Sequence, residues 1–214
     1  MNRVIFFIGI LFLTSLQFFG QDVAVLKYDG GGDWYANPTS VPNLIRFSNE
    51  NIHTVISEKP KTVKAGSQDI FNYPILFMTG HGNVFFEENA VENLRNYLTS
   101  GGFLHVSDNY GIDVYIRREM KKVFPDLSFQ EVPYNHPIYH QIYDFDQLPK
   151  IHEHDNKPAQ GFGIFYKGRL VVFYDYQCDL SDGWEDPEMH HDPPEIREKA
   201  LKMGANIIYY AFTN

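Results

Sequence analysis

The sequence predicts one α/β domain built on a mostly parallel β-sheet with a hairpin at its edge. Short apolar runs alternate with segments of helical periodicity in the first half of the chain. In the second half, two strand patterns meet at Lys167-Gly168, which is a hairpin turn signal. The 214 residues are enough for one domain with a substantial core and too few for two of ordinary size. We therefore place a single domain at residues 21–214.

Each strand is expected from an apolar run bounded by turn residues, and each helix from apolar side chains at helical spacing. The expected strands are residues 23–28, 53–57, 74–79, 103–107, 161–166 and 169–175. The expected helices are residues 42–51, 87–100, 113–124, a short one within 133–142, and 194–202, which runs into an apolar tail at 207–212. This alternation favours parallel pairing of strands, with helices on both faces of the sheet.

The first 20 residues have the pattern of an export signal. Arg3 supplies a positive charge, residues 4–13 are almost wholly apolar, and a more polar tail leads to Gln21. An uncleaved anchor is the alternative, because the apolar stretch reaches the lower length limit for a bilayer span. We therefore expect an extracytoplasmic domain, periplasmic or secreted, that meets a membrane only through this segment if it is retained.

Composition and charge exclude several classes of protein. The chain has 27 acidic and 18 basic residues, a formal net charge of −9, and no block of Lys and Arg, which argues against nucleic acid as a partner. The single cysteine, Cys178, excludes an internal disulfide and a cysteine-ligated zinc site. A hydrophobic share of 43% excludes a disordered chain.

Polar and glycine-rich loops follow four of the expected strands, at residues 30–35, 80–83, 108–111 and 179–185. Open parallel sheets bind ligands at the carboxyl ends of their strands. We therefore expect these loops to lie together at that end of the sheet, here called the rim. Aromatic faces beside carboxylates suit a small polar ligand such as a sugar. The expected ligand-binding residues are Asp33, Trp34, Tyr35, Asn109, Tyr110, Arg117, Asp182 and Trp184.

A hydrolase is the second functional hypothesis. Asp108 occupies a sharp turn between an expected strand and helix, the position that exposes a nucleophile in many hydrolases. There it can act as base or nucleophile with His81, one loop away, as its catalytic partner. A divalent metal held by Asp33 and Asp182 is one version of this hypothesis. The structural alternative is that Asp108 forms an Asx turn or helix cap.

Other motifs carry weaker signals. The runs HEHD at residues 152–155 and HHD at 190–192 are candidates for metal binding, although adjacent loop residues point apart. The glycines at 30–32 lack both the lysine of a P-loop and dinucleotide-motif spacing, so no nucleotide cofactor is expected. A third hypothesis is an envelope scaffold whose rim is only structural.

Several motifs, in order along residues 22–212, together resemble the bacterial "domain of unknown function 4159" family. They are GGGDWY at 30–35, YPILFMTGHG at 73–82, NLRNYLTSGGFLHVSDNYG at 93–111, RREM at 117–120, VFPD at 123–126, HPIYH at 136–140 and DLSDGWE at 179–185. The resemblance implies a flavodoxin-like, class I glutamine amidotransferase-like sandwich of three layers, α/β/α. It also implies export or membrane anchoring. Binding of a small polar ligand, or of an envelope protein partner, is expected from the rim residues and not from the resemblance.

The same resemblance argues against glutamine amidotransfer. In amidotransferases of this fold the turn after the corresponding strand carries the catalytic cysteine, whereas here it carries Asp108. Cys178 does not replace that cysteine, and the HHDPPE run at residues 190–195 matches the catalytic His-Pro-Glu only superficially.

Overall fold

The computed structural model describes residues 22–214, so the export signal or anchor expected in residues 1–20 lies outside the described part. The strands are β1 (Val23–Lys27), β2 (Lys61–Lys64), β3 (Ile75–Met78), β4 (Phe103–Ser107), β5 (Gln130–Glu131), β6 (Gln160–Tyr166) and β7 (Arg169–Tyr176). The α-helices are α1 (Ser40–Asn51), α2 (Glu88–Thr99), α3 (Asp113–Val123), α4 (Pro187–His190) and α5 (Pro194–Thr213).

The seven strands form one sheet in the order β2-β1-β3-β4-β7-β6-β5. The pairs from β2 to β7 are parallel, and β6 is antiparallel to both β7 and β5. Lys167 and Gly168 join β6 to β7 with φ angles of 50° and 84°, the left-handed backbone that a tight hairpin requires. The α/β class, the mostly parallel sheet and the edge hairpin are confirmed.

Helices cover both faces of the sheet because its central strands are buried on both sides. All four residues of β3 are buried, as expected of a parallel strand between two helical layers. On one face Leu94 of α2 and Met120 of α3 join the core, and on the other Ile45 of α1 and Met203 of α5 do so. Among residues 22–214, no helix combines the length and apolarity needed to cross a membrane.

The strand expected at residues 53–57 is wrong, and the second strand lies at Lys61–Lys64 instead. The side-chain amide of Asn49, on α1, donates to the Ile56 carbonyl, and its oxygen accepts from the Ile56 N–H. The backbone groups that a strand would pair are therefore taken by a side chain. The true strand, KTVK, is charged because it lies at the sheet edge, where lysines discourage pairing with another chain.

The second half of the chain differs in two further ways from expectation. The helix expected at residues 194–202 and the apolar tail are one helix, α5. Gly204 lies inside it because a Cβ there would come within 2.5 Å of Leu44 and 2.8 Å of the Trp184 ring. The short helix expected within residues 133–142 is a single 3₁₀ turn, Pro137–Tyr139.

Candidate functional site

The four rim loops leave the carboxyl ends of β1, β3, β4 and β7, which are neighbouring parallel strands. The strand order therefore brings together loops that are far apart in sequence. Two of them pack backbone against backbone, with Gly32 N donating to Asn83 O at 3.0 Å and Asp33 N to His81 O at 3.3 Å. The loops after β1 and β3 thus form one continuous surface at the carboxyl ends of the strands.

His81 pairs with Asp33 on this surface. The Nδ1 atom of His81 lies 3.0 Å from Asp33 Oδ2, and the other carboxylate oxygen accepts the His81 backbone N–H. Burial acts to raise the pKa of Asp33, but the hydrogen bonds from His81 outweigh it and hold that pKa below its usual value. The expected pairing of His81 with Asp108 is wrong, since Asp108 bonds to other groups.

Two glycines place Asp33 beside His81. A Cβ at Gly32 would lie 2.7 Å from the His81 carbonyl oxygen, and one at Gly80, whose φ is +130°, would lie 2.8 Å from the Asp33 carbonyl oxygen. Only glycine permits so close an approach of the two loops at these positions. The glycine-rich sequence thus serves to position the imidazole and the carboxylate.

Asp108 is buried in an Asx turn, the structural alternative for this residue. Its Oδ1 accepts from Tyr110 N and its Oδ2 from Gln177 N, both at 3.1 Å. Burial, together with the nearby carboxylates of Asp179 and Asp113, raises the pKa of Asp108 to about 6. The expectation of an exposed nucleophile at this turn is therefore wrong.

The two tryptophans have different surroundings. Trp184 is fully buried, and its Nε1 donates to the Ala200 carbonyl at 2.8 Å, so the expectation that it contacts a ligand is wrong in this structure. Trp34 is partly buried beneath Lys27, whose Nζ lies 4.8 Å from the ring centroid. Trp34 and Tyr35 both line a cleft of about 360 Å³, and Tyr35 is 65% exposed.

Tyr110 and Arg117, both expected to bind ligand, lie in separate environments. The Tyr110 ring is half-exposed at the rim and stacks on His154, with centroids 4.4 Å apart. Arg117 bonds to Asp113 Oδ1 at 2.6 Å and covers the Phe162 ring at 4.5 Å. The guanidinium of Arg117 is therefore engaged within the domain, where it balances a carboxylate and packs on an aromatic ring.

A hydrogen-bonded network links three rim segments. The side-chain nitrogen of Asn37 donates to Ser181 Oγ at 2.8 Å and also to Asp182 Oδ1. The Asn109 amide donates to Asn37 Oδ1 at 3.1 Å, and its oxygen accepts from Ser181. The hydrogen-bonding groups of the Asn109 amide thus have partners within the protein. Asn37 and Ser181 were not predicted from the sequence, because only the fold brings them together.

Histidines from the two histidine-rich runs converge on Asp182. His152 Nδ1 lies 3.0 Å from Asp182 Oδ2, and its Nε2 lies 3.1 Å from Asp192 Oδ1. His190 Nε2 lies 4.0 Å from the same Asp182 oxygen. Hydrogen bonds to Asp179 and Asp182 outweigh burial and raise the pKa of His152 to about 10. We call His152, Asp182 and His190, together with the carboxylates of Asp179, Glu185 and Asp192 beside them, the histidine cluster.

The metal pair expected from the sequence, Asp33 with Asp182, does not form. Asp33 bonds to His81, whereas the Asp182 carboxylate contacts Asn37 and His152. Among the described residues, the group with metal-ligand spacing is His152, Asp182 and His190. The runs HEHD and HHD were the sequence signal for these ligands, but the sequence could not show that one histidine from each run meets Asp182.

A second histidine–aspartate pair, His105 and Asp175, lies below the rim and was not predicted from the sequence. His105 Nε2 is 2.6 Å from Asp175 Oδ2, and Ser107 Oγ donates to Asp175 Oδ1 at 3.2 Å. Burial lowers the pKa of His105 to about 3 and raises the pKa of Asp175 well above its usual value. The only signal in the sequence was a histidine inside an apolar strand, FLHVS.

Strained backbone is concentrated around the rim. Eight non-glycine residues among 22–214 have left-handed φ angles. The five in or beside the rim are Asn37, Tyr110, Gln177, Asp179 and His191. Such backbone is unfavourable for most side chains and persists where the surroundings impose it, most often at functional sites.

Together these features define an α/β protein with a mostly parallel sheet whose polar and strained residues collect at the carboxyl ends of the strands. A family model described as "Domain of unknown function (DUF4159)" matches residues 22–212, so the chain belongs to this family, and the resemblance seen in the sequence is confirmed. No curated protein matches the chain.

Proposed function

We propose that the rim binds a small polar ligand beside His81 and Asp33. The observation that carries this proposal is the position of the pair, on the loops that follow β1 and β3. The chain runs from β1 to β2 on one side and then returns to β3 on the other, so the order reverses between β1 and β3. Ligands of open α/β sheets bind in the crevice at such a switch point.

The strand order also supports the finer fold assignment that we propose. The parallel strands β2-β1-β3-β4-β7 follow the order 2-1-3-4-5 of flavodoxin-like folds, if β7 counts as the fifth parallel strand. A class I glutamine amidotransferase-like sandwich has this arrangement. Amidotransfer is not part of the proposal, because Asp108 occupies the cysteine position and burial raises the pKa of the Cys178 thiol well above its usual value.

The side chains beside the pair suit a hydroxyl-rich ligand. His81 is 55% exposed on its side chain and can exchange hydrogen bonds with hydroxyl groups, as can the Asp33 carboxylate. Tyr35, two residues after Asp33, offers an exposed ring against which a sugar can pack, and the neighbouring cleft is large enough for one sugar unit. An extracytoplasmic location, expected from the sequence, would expose the rim to envelope glycans.

An NMR titration with oligomers of N-acetylglucosamine and with muropeptides tests this proposal. We expect shifts of the amide signals of residues 30–35 and 80–83, and a loss of binding of at least ten-fold in Tyr35→Ala. Phe71→Ala is the matched control, since Phe71 is an exposed aromatic residue ahead of β3, at the other end of the sheet. Binding without shifts in these loops, or equal losses in both variants, would contradict the proposal.

A hydrolase is the second candidate, favoured by how Asp33 holds His81. A carboxylate on Nδ1 fixes the ring and leaves Nε2 available to take a proton from water or a hydroxyl group. This arrangement replaces the Asp108 and His81 pair expected from the sequence. The reaction would be the hydrolysis of an ester or glycoside of the bound ligand.

Hydrolysis of p-nitrophenyl acetate and p-nitrophenyl glycosides tests this candidate. We expect His81→Ala to lose about 100-fold or more of any activity, the usual contribution of a general base. His140→Ala is the matched control, because both nitrogens of His140 are engaged, by Asp144 at 3.0 Å and by the Tyr134 carbonyl at 2.7 Å. If the chain showed neither hydrolytic activity nor ligand binding, the remaining hypothesis would be the envelope scaffold, which the burial of Trp184 favours.

A further inference from the structure

We propose that His152, Asp182 and His190 bind one divalent transition-metal ion. This site goes beyond the ligand site at His81 and stands on different residues. The three come from separate segments: His152 precedes β6, Asp182 begins a 3₁₀ turn, and His190 ends α4. One ligand atom from each lies within 4.8 Å of the others, close enough to surround a single ion.

Two buried carboxylate oxygens provide an independent indication. Asp179 Oδ1 and Asp192 Oδ2 are buried without a hydrogen-bond partner. Asp179 is 1% exposed, and its other oxygen lies 3.6 Å from His152 Nδ1, whereas the other oxygen of Asp192 lies 3.1 Å from His152 Nε2. Buried polar atoms normally have partners, and a carboxylate oxygen left without one is unfavourable unless a cation is near.

The charges of the cluster point to a cation. Four carboxylates, those of Asp179, Asp182, Glu185 and Asp192, contact imidazoles in this region. Within residues 22–214, no Lys or Arg side chain forms an ion pair with any of them. Arg197 donates to the backbone carbonyl of Glu185 and not to its carboxylate, so a protonated histidine or a bound cation would supply the positive charge in direct contact with these carboxylates.

The donor set selects the class of metal. Two imidazoles and one carboxylate suit Zn²⁺ and neighbouring transition metals, whereas Ca²⁺ and Mg²⁺ prefer oxygen ligands. Three protein ligands also leave a coordination position open for water or another small ligand. Asp192 would hold the second ring nitrogen of His152, an outer contact that orients metal-binding histidines in many proteins.

His190 has one competing partner, which the ion would displace. Glu185 Oε2 lies 3.1 Å from His190 Nε2, the nitrogen assigned to the metal. Glu185 also accepts from the Thr39 hydroxyl through its other oxygen, so it keeps a partner when His190 turns to the ion. Binding would therefore break the hydrogen bond of His190 to Glu185 and would replace the proton on His152 Nδ1, which now bonds to Asp179 and Asp182, with the ion.

Calorimetric titration of the purified, tag-free chain with ZnCl₂, after treatment with EDTA, tests the site directly. We expect one Zn²⁺ per chain, weaker binding by at least ten-fold in His190→Ala, and no comparable binding of MgCl₂. His191→Asn is the matched control, because His191 is an exposed neighbour with a left-handed φ of 57° that asparagine also tolerates.

The alternatives are protonated histidines in ion pairs and an ion bound elsewhere. Absence of Zn²⁺ binding by the wild-type chain would establish the first and overturn the proposal. Equal affinity in the wild type and His190→Ala would establish the second. The absorption spectrum of the Co²⁺ complex, measured on the wild type, gives a readout that does not depend on the variant: the weak bands of an octahedral, water-rich ion would also contradict the assignment.

Discussion

Two histidine–carboxylate pairs of this protein have opposite surroundings. His105 and Asp175 are enclosed by aromatic rings. The centroid of the His105 ring lies 5.6 Å from that of Phe77 and 5.6 Å from that of Trp184, and the Phe77 and Trp184 centroids are 5.7 Å apart. His81 and Asp33 lie on rim loops, with the imidazole open to solvent. The same two residue types therefore form a buried brace between β4 and β7 in one place and an accessible polar site in the other.

The difference shows that burial decides what such a pair can do. In the interior no water competes for the hydrogen bond, so loss of one partner leaves the other buried and unsatisfied. At the rim, water replaces a lost partner, so the pair adds little stability but can meet a ligand. A histidine beside an aspartate is thus evidence for function only where the ring is accessible.

The largest expected effect is on stability. We expect His105→Ala to lower the free energy of unfolding by about 3–5 kcal/mol, because it leaves a cavity among buried aromatic rings and removes the hydrogen-bond partner of the buried Asp175 carboxyl. His81→Ala should lower it by less than about 1 kcal/mol, because water solvates Asp33. Urea unfolding of both variants measures this difference. Similar losses in the two variants would contradict the claim that burial makes the His105 pair the more stabilising one.

An intermediate effect concerns Asp108, a buried acid within a rim loop. Burial raises the pKa of Asp108 from an ordinary value of 3.8 to about 6, so near pH 5 the folded state keeps a proton that the unfolded state has released. Stability should therefore fall as the pH rises from about 4 to 6, by about 3 kcal/mol from this group.

Urea unfolding at several pH values tests this expectation in Asp108→Asn, which should have a flatter slope between pH 4 and 6 than the wild type. Only the slope is diagnostic, because asparagine can accept just one of the two backbone N–H groups that Asp108 binds. Asp144→Asn, at an exposed acid, should keep the wild-type slope. An unchanged slope in Asp108→Asn would mean that this carboxyl titrates normally.

The weakest effect that we expect is a change in the pKa of Asp33, in the exposed pair. Without the imidazole, the pKa of Asp33 should rise in His81→Ala, because the ring that stabilises its charged form is gone. Titration of the Asp33 carboxyl carbon by NMR measures the change. If the Asp33 pKa stayed the same, the two side chains would not be paired in solution.

Much of the fold could be predicted because its signals are local. The apolar run of β3, the glycines after α2 and the Lys167-Gly168 turn each identify an element within a few residues. The strand expected at residues 53–57 failed because Asn49, on the preceding helix, bonds to the backbone of Ile56. An edge strand with a lysine at each end, such as β2, lacks the apolar pattern from which strands are predicted.

The candidate site was predictable in location but not in its pairings. The rim followed from the rule that parallel sheets bind ligands at the carboxyl ends of their strands. His81 was expected to pair with Asp108 but bonds to Asp33, and Trp184 was expected at the surface but is buried. Such errors arise because an Asp or Trp in a polar loop looks the same in sequence whether its side chain points outward or inward.

The amino-acid sequence alone was sufficient to predict the α/β class, the family, the order of most elements and the loops in which the polar residues lie. Which histidine contacts which carboxylate was known only from the three-dimensional fold. His81 and Asp33 are 48 residues apart, and His105 and Asp175 are 70 apart. Contacts over such distances depend on the order in which strands pair, and that order is fixed by packing of the whole sheet between its helices.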